Sequence, residues 1–243
     1  MIVSKCSEIG PLPDETIDPF KDGRLRIIQS KTGYRFSIDA ILLSDFVTIK
    51  KHETVVDLGT GCGVIPLSLL ISKPLKHIYC LEIQPELAYQ AIRNAKLNNF
   101  ENKMSVIRGD MRNLPLPASS ANVVVCNPPY RRKESGRINP DRERAIARHE
   151  IMASLDDILN AAGSILKAKG RLAMIYPADR LADLMTSMRQ YNLEPKRIRI
   201  IYPNADSEAK LALVEGVSGG NSGVKILSPL FDQGSFSIPK NPD

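Results

Sequence analysis

Between Thr54 and Ile71 the sequence leaves the backbone little choice. Thr54-Val55-Val56-Asp57-Leu58 is short and mostly apolar, as a strand buried on both faces must be. Gly59-Thr60-Gly61-Cys62-Gly63 follows at once, and Val64 to Ile71 then reads as the first turns of a buried helix. Glycines at alternate positions let the chain turn sharply and come close to a ligand. A strand, a glycine loop and a helix in this order form one unit of an alternating α/β sheet.

The rest of the chain repeats the alternation. Strands are expected at 54–58, 77–82, 104–108, 122–126, 171–176, 195–202 and 210–216. Helices are expected at 64–72, 86–98, 142–167 with a break near Ala153-Ser154, and 178–191, and Gly170 would close the long one. Strands that alternate with helices give a parallel sheet. Ahead of this core, Met1 to Asp22 reads as an irregular segment, Arg24 to Gln29 as a strand, and Ala40 to Thr48 as a helix capped by Ser37 or Asp39. Gly216–Gly223 reads as a loop, with the apolar tail Ile226-Leu227-Ser228-Pro229-Leu230-Phe231 after it. We divide the chain into an N-terminal extension, 1–50, and one catalytic domain, 51–243.

The glycine loop has chemical content of its own. Its pattern is Asp-x-Gly-x-Gly-x-Gly, not the Gly-x-Gly-x-x-Gly that cradles a dinucleotide pyrophosphate. S-adenosylmethionine has no phosphate and carries an ammonium, a carboxylate and a sulfonium. Asp57, at the strand end, suits the ammonium or a water beside it. His77-Ile78-Tyr79-Cys80-Leu81-Glu82 ends in a carboxylate that can accept both ribose hydroxyls, with Ile83 directly after it. The third strand leads into Gly109-Asp110-Met111, where Asp110 could accept from an adenine amino group and the Met111 N–H could meet a ring nitrogen. A Rossmann variant for another nucleotide, or a loop with no ligand, is the alternative for this loop, and an ordinary surface acid is the alternative for Glu82.

A fourth strand end names the acceptor. Val123-Val124-Val125-Cys126 leads into Asn127-Pro128-Pro129-Tyr130. The Asn127 side-chain oxygen can accept one N–H of a planar exocyclic amine. The Pro128 carbonyl can accept the other, because Pro128 and Pro129 fix the backbone and remove competing donors. The Tyr130 ring can stack on a flat substrate.

These residues resemble the class I S-adenosylmethionine-dependent methyltransferases of the amino-methylating kind. Five segments are similar, more closely, to the bacterial tRNA (adenine-N6)-methyltransferases that act just 3′ of the anticodon of a valine tRNA. They are Arg35 to Leu43, Asp57 to Gly63, Asn127 to Tyr130, Ala147 to Glu150, and Lys210 to Gly216. The resemblance implies a Rossmann-like, mostly parallel sheet of seven strands, the last antiparallel, with a short N-terminal extension covering the cofactor. It implies S-adenosylmethionine as cofactor and tRNA as substrate. The expected cofactor set is Asp57, Gly59, Thr60, Gly61, Gly63, Glu82, Ile83, Asp110, Met111 and Asn127. Phe36 and Asp39 either join that set or simply start a packed helix. Asn127, Pro128, Pro129 and Tyr130 form the expected catalytic set.

Composition narrows the partners. Lys and Arg number 33 against 27 Asp and Glu, a net charge of +6, which alone says little about nucleic acid. The excess gathers between Arg131 and Arg148, directly after the acceptor motif, so Arg131, Arg132, Lys133 and Arg148 are candidate RNA contacts. A solvated loop and helix face is the alternative for that segment. His149, between Arg148 and Glu150, suits a structural or RNA-contact role better than catalysis. Cys6, Cys62, Cys80 and Cys126 show neither metal spacing nor a disulfide framework, so no metal is expected. No secretory leader opens the chain, and no apolar run reaches the ~20 residues of a membrane helix, so a cytoplasmic protein is expected. Monomer and homodimer remain open.

Asn-Pro-Pro-Tyr also occurs in enzymes that methylate a glutamine side chain of release factors, in DNA adenine methyltransferases, and the same reaction exists on ribosomal RNA. About fifty residues precede Asp57, too few for the helical domain of the glutamine enzymes, and no room is evident for a DNA target-recognition domain. A non-catalytic protein that binds S-adenosylmethionine or RNA would have no use for Asn127 and Tyr130 together.

Overall fold

A computed structural model of the protein describes residues 10–31, 38–128 and 153–231. The chain opens with β1 (Glu15–Phe20) and β2 (Leu25–Ser30), paired antiparallel as a separate hairpin. Then come α1 (Ile38–Phe46), β3 (Thr54–Leu58), α2 (Val64–Ser72), β4 (His77–Glu82), α3 (Pro85–Leu97), β5 (Met104–Arg108) and β6 (Ala121–Cys126). After the described residues resume come α4 (Leu155–Ile165), β7 (Leu166–Pro177), α5 (Leu181–Gln190), β8 (Leu193–Tyr202), β9 (Leu211–Ser218), β10 (Lys225–Ile226) and β11 (Leu230–Phe231).

The central sheet runs β10-β8-β9-β7-β6-β3-β4-β5, with β11 also on β8. Strands β3 to β7 are mutually parallel, and β9 is antiparallel to both of its neighbours, β7 and β8. The strand order reverses at β3, whose neighbours are β4 and β6, so the crevice lies where an open α/β sheet binds ligands.

Two apolar layers explain the order of side chains along each strand. Val55, Ile78, Val123, Val125, Ala173, Ile175 and Leu213 face one core with α1, α2, α3 and the hairpin. Val56, Leu58, Leu81, Val124, Cys126, Leu172, Met174 and Val214 face the other with α4 and α5. Both faces are covered, which is why β3 and β6 read as mostly apolar runs. Local signals set the helix starts. Pro85 opens α3 at a position that needs no N–H, and Ser154 and Asp157 form a reciprocal capping box at α4.

Several expectations need correction. The central sheet has nine strands rather than seven, because the two-residue strands β10 and β11 pair parallel with the edge of β8. The antiparallel strand β9 is therefore followed by two more. Met1 to Asp22 was expected to be irregular, yet Glu15–Phe20 is a strand, because β2 supplies its backbone partners. α4 starts after its cap Ser154, and 142–152, where the rest of the expected helix falls, lie outside the described residues. That helix ends at Ile165, so Gly170 does not cap it. A Cβ at Gly170 would sit 2.8 Å from the Lys167 carbonyl oxygen and 2.9 Å from Leu166, so close packing is the reason for glycine there. Asp39 stands inside the first turn of α1 and not at its cap, and Ser37 lies outside the described residues. Among the described residues no helix is long and apolar enough to cross a membrane.

The hairpin docks on α3 through buried polar contacts. Arg93 forks onto both Glu15 oxygens, with Arg93 Nη1 to Oε2 at 2.6 Å, and the two side chains are 1% and 4% exposed. Gln90 and the Leu12 N–H also donate to that carboxylate. Removing one member of a buried pair strands the other's charge. Arg93→Ala is therefore expected to cost about 3–5 kcal/mol in urea unfolding. A loss below about 1 kcal/mol would mean that the hairpin is held by its apolar contacts alone.

Candidate active site

Of the expected cofactor residues, Asp57, Gly59, Thr60, Gly61, Gly63, Glu82, Ile83, Asp110 and Met111 lie at the carboxyl ends of β3, β4 and β5. Register brings the first two together: Asp57 pairs with Cys80 on one side and with Val125 on the other. Carrying that register two residues on puts Gly59, Glu82 and Asn127 at one level of the rim. Asp57 has no exposed surface. One of its oxygens accepts the Thr60 hydroxyl at 2.6 Å, and the other is buried with no hydrogen-bond partner among the described residues. Burial pushes the Asp57 carboxyl up to about 7, the Thr60 hydroxyl opposes this, and the nearby Glu82 charge adds to it. A buried acceptor without a donor is costly unless a ligand supplies one. Asp57 therefore fits an ammonium or other N–H donor.

Gly59, Gly61 and Gly63 have φ of +76°, +57° and +91°, all left-handed, which accounts for glycine at each. Gly63 is doubly constrained, since a Cβ there would meet Met104 at 2.9 Å. The Gly59 and Thr60 N–H groups both donate to the Leu81 carbonyl, at 2.9 and 3.0 Å, which ties the loop to β4.

Glu82 has a role that the sequence reading missed. It is 4% exposed; one oxygen accepts the Gly61 N–H at 2.8 Å and the other the Gln84 N–H at 2.9 Å. Burial raises its carboxyl, while the Gln84, Gly61 and Ile83 N–H groups hold it down. Glu82 thus braces the glycine loop. A carboxylate has about four lone-pair sites, so capacity remains for a ribose hydroxyl. Asp110 stands differently from expectation. Both its oxygens accept from the Arg112 side chain, at 2.9–3.0 Å from Nε, and one also accepts the Arg112 N–H at 2.9 Å. The Arg112 guanidinium holds the Asp110 carboxyl below its usual range. An adenine amino group would have to share this carboxylate with Arg112. Met111 begins the short 3-10 turn Met111–Asn113 that Asp110 caps.

Asn127 is half-buried and Pro128 is buried where the chain leaves β6, beside the glycine loop. Asp39 is half-buried in the first turn of α1. Phe36, Pro129, Tyr130, Arg131, Arg132, Lys133, Arg148 and His149 lie outside the described residues. Among the described residues no group of three or more His, Cys, Asp or Glu could hold a metal ion.

Asn94 also escaped the sequence reading. It is fully buried on α3 and donates to the Cys62 carbonyl of the glycine loop at 2.8 Å. Its one sequence signal was an amide on the buried side of an amphipathic helix, which needs a partner.

Comparison with known proteins agrees with this geometry. The family described as "Methyltransferase small domain" matches residues 37–190. A Porphyromonas gingivalis protein named tRNA1(Val) (adenine(37)-N6)-methyltransferase is 32% identical over 208 residues, covering 82% of this chain and 80% of its own. A Parabacteroides distasonis protein of the same name is 26% identical, covering 81% and 82%. Among solved structures, an Agrobacterium tumefaciens protein described as a predicted O-methyltransferase superposes with a TM-score of 0.65 at 21% identity, over 84% of this chain and 92% of its own. That likeness shows the shared fold. With the family match spanning more than half of the sequence, this chain belongs to the methyltransferase small domain family.

Proposed function

We propose that the protein transfers a methyl group from S-adenosylmethionine to the exocyclic N6 of an adenine in tRNA, at the adenosine just 3′ of the anticodon of a valine tRNA. The observation that supports this reading is the pairing of β3 with β6, which sets Asp57 opposite Val125, two residues before Asn127, together with an Asp57 oxygen that has no hydrogen-bond partner among the described residues. The names of the relatives in Porphyromonas and Parabacteroides support the choice of acceptor.

The residues present fit the cofactor. Asp57 would take its ammonium, Glu82 its ribose, and the Gly59–Gly63 backbone would pass close beside it. Met111 and Asp110 would border the adenine, the latter with Arg112. S-adenosylmethionine supplies a methyl group on a sulfonium, already a good leaving group, so the protein's task is positioning. The N6 lone pair of adenine is delocalised into the ring. An Asn127 oxygen and a Pro128 carbonyl that accept the two N6 hydrogens would favour a pyramidal nitrogen and aim its lone pair. Tyr130 would hold the base by stacking, and Arg131, Arg132, Lys133 and Arg148 would meet phosphates. Residues 1–50, including the hairpin and α1, would cover the cofactor of the 51–243 catalytic domain. The proposed compartment is the cytosol, where tRNA is found and where the buried thiols of Cys62, Cys80 and Cys126 would stay reduced.

The test is methyl transfer from labelled S-adenosylmethionine to total bacterial tRNA, followed by nucleoside analysis. The expected product is N6-methyladenosine. Cofactor binding with label entering a release-factor glutamine instead would remove tRNA from the account.

A further inference from the structure

Asn94 on helix α3 and Asn98 at its C-cap stand one turn apart, and each treats β2 as a neighbouring strand would. Asn98 Oδ1 accepts the Arg26 N–H at 2.9 Å and its Nδ2 donates to the Arg26 carbonyl at 2.7 Å. Asn94 does the same for Ile28, at 2.7 and 3.0 Å. The hairpin edge, with its open backbone groups, is thereby satisfied by side-chain amides from a helix. The two asparagines differ in one respect. Asn94 Nδ2 has a second hydrogen, and it donates to the Cys62 carbonyl at 2.8 Å. Asn98 instead returns to the Asn94 carbonyl of its own helix, also at 2.8 Å.

The Cys62 peptide joins Gly61 and Gly63, both left-handed, and leads directly into α2. Its neighbours are already fixed: Gly61 N–H by Glu82, and Gly59 and Thr60 N–H by Leu81. Asn94 holds the Cys62 carbonyl from the side of the hairpin. One fully buried amide, at 0% exposure, thus contacts the N-terminal hairpin and the cofactor loop at once.

We infer that Asn94 is a positioning residue for the cofactor loop, and that through it docking of the β1–β2 hairpin and binding of S-adenosylmethionine favour each other. The inference rests on the loop's holding S-adenosylmethionine. The physical basis is reciprocity. If docking the hairpin orients the Asn94 amide, and the amide fixes the Cys62 carbonyl, then whatever favours the loop's bound geometry also favours docking. Glycines at 59, 61 and 63 give the loop many unfolded-like alternatives, so an external hydrogen bond on its carbonyl has an ensemble to narrow.

The full-length protein provides the test. Asn94→Ala and Asn98→Ala each remove one pair of bonds to β2, but only the first also releases the loop. Equilibrium binding of S-adenosylmethionine is measured for both, at a temperature where melting curves show each to be folded. Asn94→Ala is expected to weaken binding about tenfold or more, and Asn98→Ala less than about twofold. Turnover at saturating substrates should stay within about threefold of wild type in both, since Asn94 touches no reacting atom. Should Asn94→Ala fail to fold, Asn94→Ser serves, as it keeps one donor and should weaken binding by an intermediate factor. Equal binding by folded Asn94 variants and wild type overturns the inference and leaves the cofactor reading intact. Equal losses in the Asn94 and Asn98 variants overturn it as well, because loosening of the hairpin would then explain both. No binding by wild type overturns the cofactor reading and this inference together.

Discussion

Asp57→Asn should weaken S-adenosylmethionine binding by roughly a hundredfold or more, and should make the ligand-free protein more stable at neutral and alkaline pH. Both effects come from one buried oxygen without a hydrogen-bond partner among the described residues. The ionised carboxylate is disfavoured by burial, which lifts its titration from 3.8 to about 7. A raised native value means that the folded protein binds this proton more tightly than the unfolded chain does. Stability from Asp57 is therefore full below about pH 4 and is lost as pH rises through about 7. The shift corresponds to about 4 kcal/mol at most, and asparagine pays its own desolvation, so a gain of about 1–3 kcal/mol is expected at pH 8. At pH 5 the folded aspartate is neutral while the unfolded one is still ionised, so the difference should be smaller than at pH 8, and it reaches its minimum only below about pH 4. The Thr60 hydroxyl can bond to the new amide oxygen, so loop geometry should survive.

Binding behaves in the opposite sense. A cationic ammonium needs the charged carboxylate, and an asparagine N–H would face it with the wrong polarity. Wild-type affinity should therefore fall up to tenfold per pH unit below about 7, with a proton released on binding. Calorimetry in buffers of different ionisation enthalpy reads that proton, and thermal melts at the two pH values read the stability. An Asp57→Asn protein that binds as wild type does, or that melts lower at pH 8, would contradict the role given to Asp57.

Asn127→Ala is expected to lower turnover about 10²–10³-fold with S-adenosylmethionine affinity changed less than about threefold. The proposed bond from N6 to the Asn127 oxygen gains strength as the nitrogen pyramidalises, so its loss should appear in kcat. In the proposed arrangement the ground-state complex with the cofactor would depend on Asp57, Glu82 and the glycine backbone, which alanine at position 127 leaves alone. Single-turnover methylation and equilibrium binding separate the two quantities. Equal falls in turnover and in cofactor affinity would make Asn127 a cofactor residue and leave the acceptor without its proposed hydrogen-bond partner.

Legibility in the sequence followed the range of the interactions. β3, β4 and β5 occupy 54–58, 77–82 and 104–108 as read from their apolar runs, because burial on both faces leaves a pattern that depends on nothing else. The glycine loop was equally plain, since three left-handed positions require three glycines. The start of α4 after Ser154 follows from a local cap. β1 was hidden because Glu15, Asp18 and Pro19 look like loop residues until Arg93, 78 positions away, neutralises Glu15. β10 and β11 are two residues each and exist by backbone pairing to β8, which no side-chain pattern announces. Within the site, the type of each residue was visible but its employment was not. Glu82 was read as a ribose ligand from its place at a strand end, whereas its bond to the Gly61 N–H depends on how the loop folds back. Asn94 bonds to Ile28 across 66 positions, so its link to the loop had no local trace. Arg112, by contrast, stands two residues from Asp110, and that ion pair could have been anticipated.

The central claim is that these strand ends deliver a methyl group to one exocyclic nitrogen of one tRNA. The most direct measurement is to react the protein with S-adenosylmethionine and purified valine tRNA that lacks the modification, then to locate the methyl group by nuclease mapping and mass spectrometry. The account predicts N6-methyladenosine at the adenosine 3′ of the anticodon, absent when Asn127 is replaced by alanine. A methyl group on a ribose, on another base, or only on protein would contradict it.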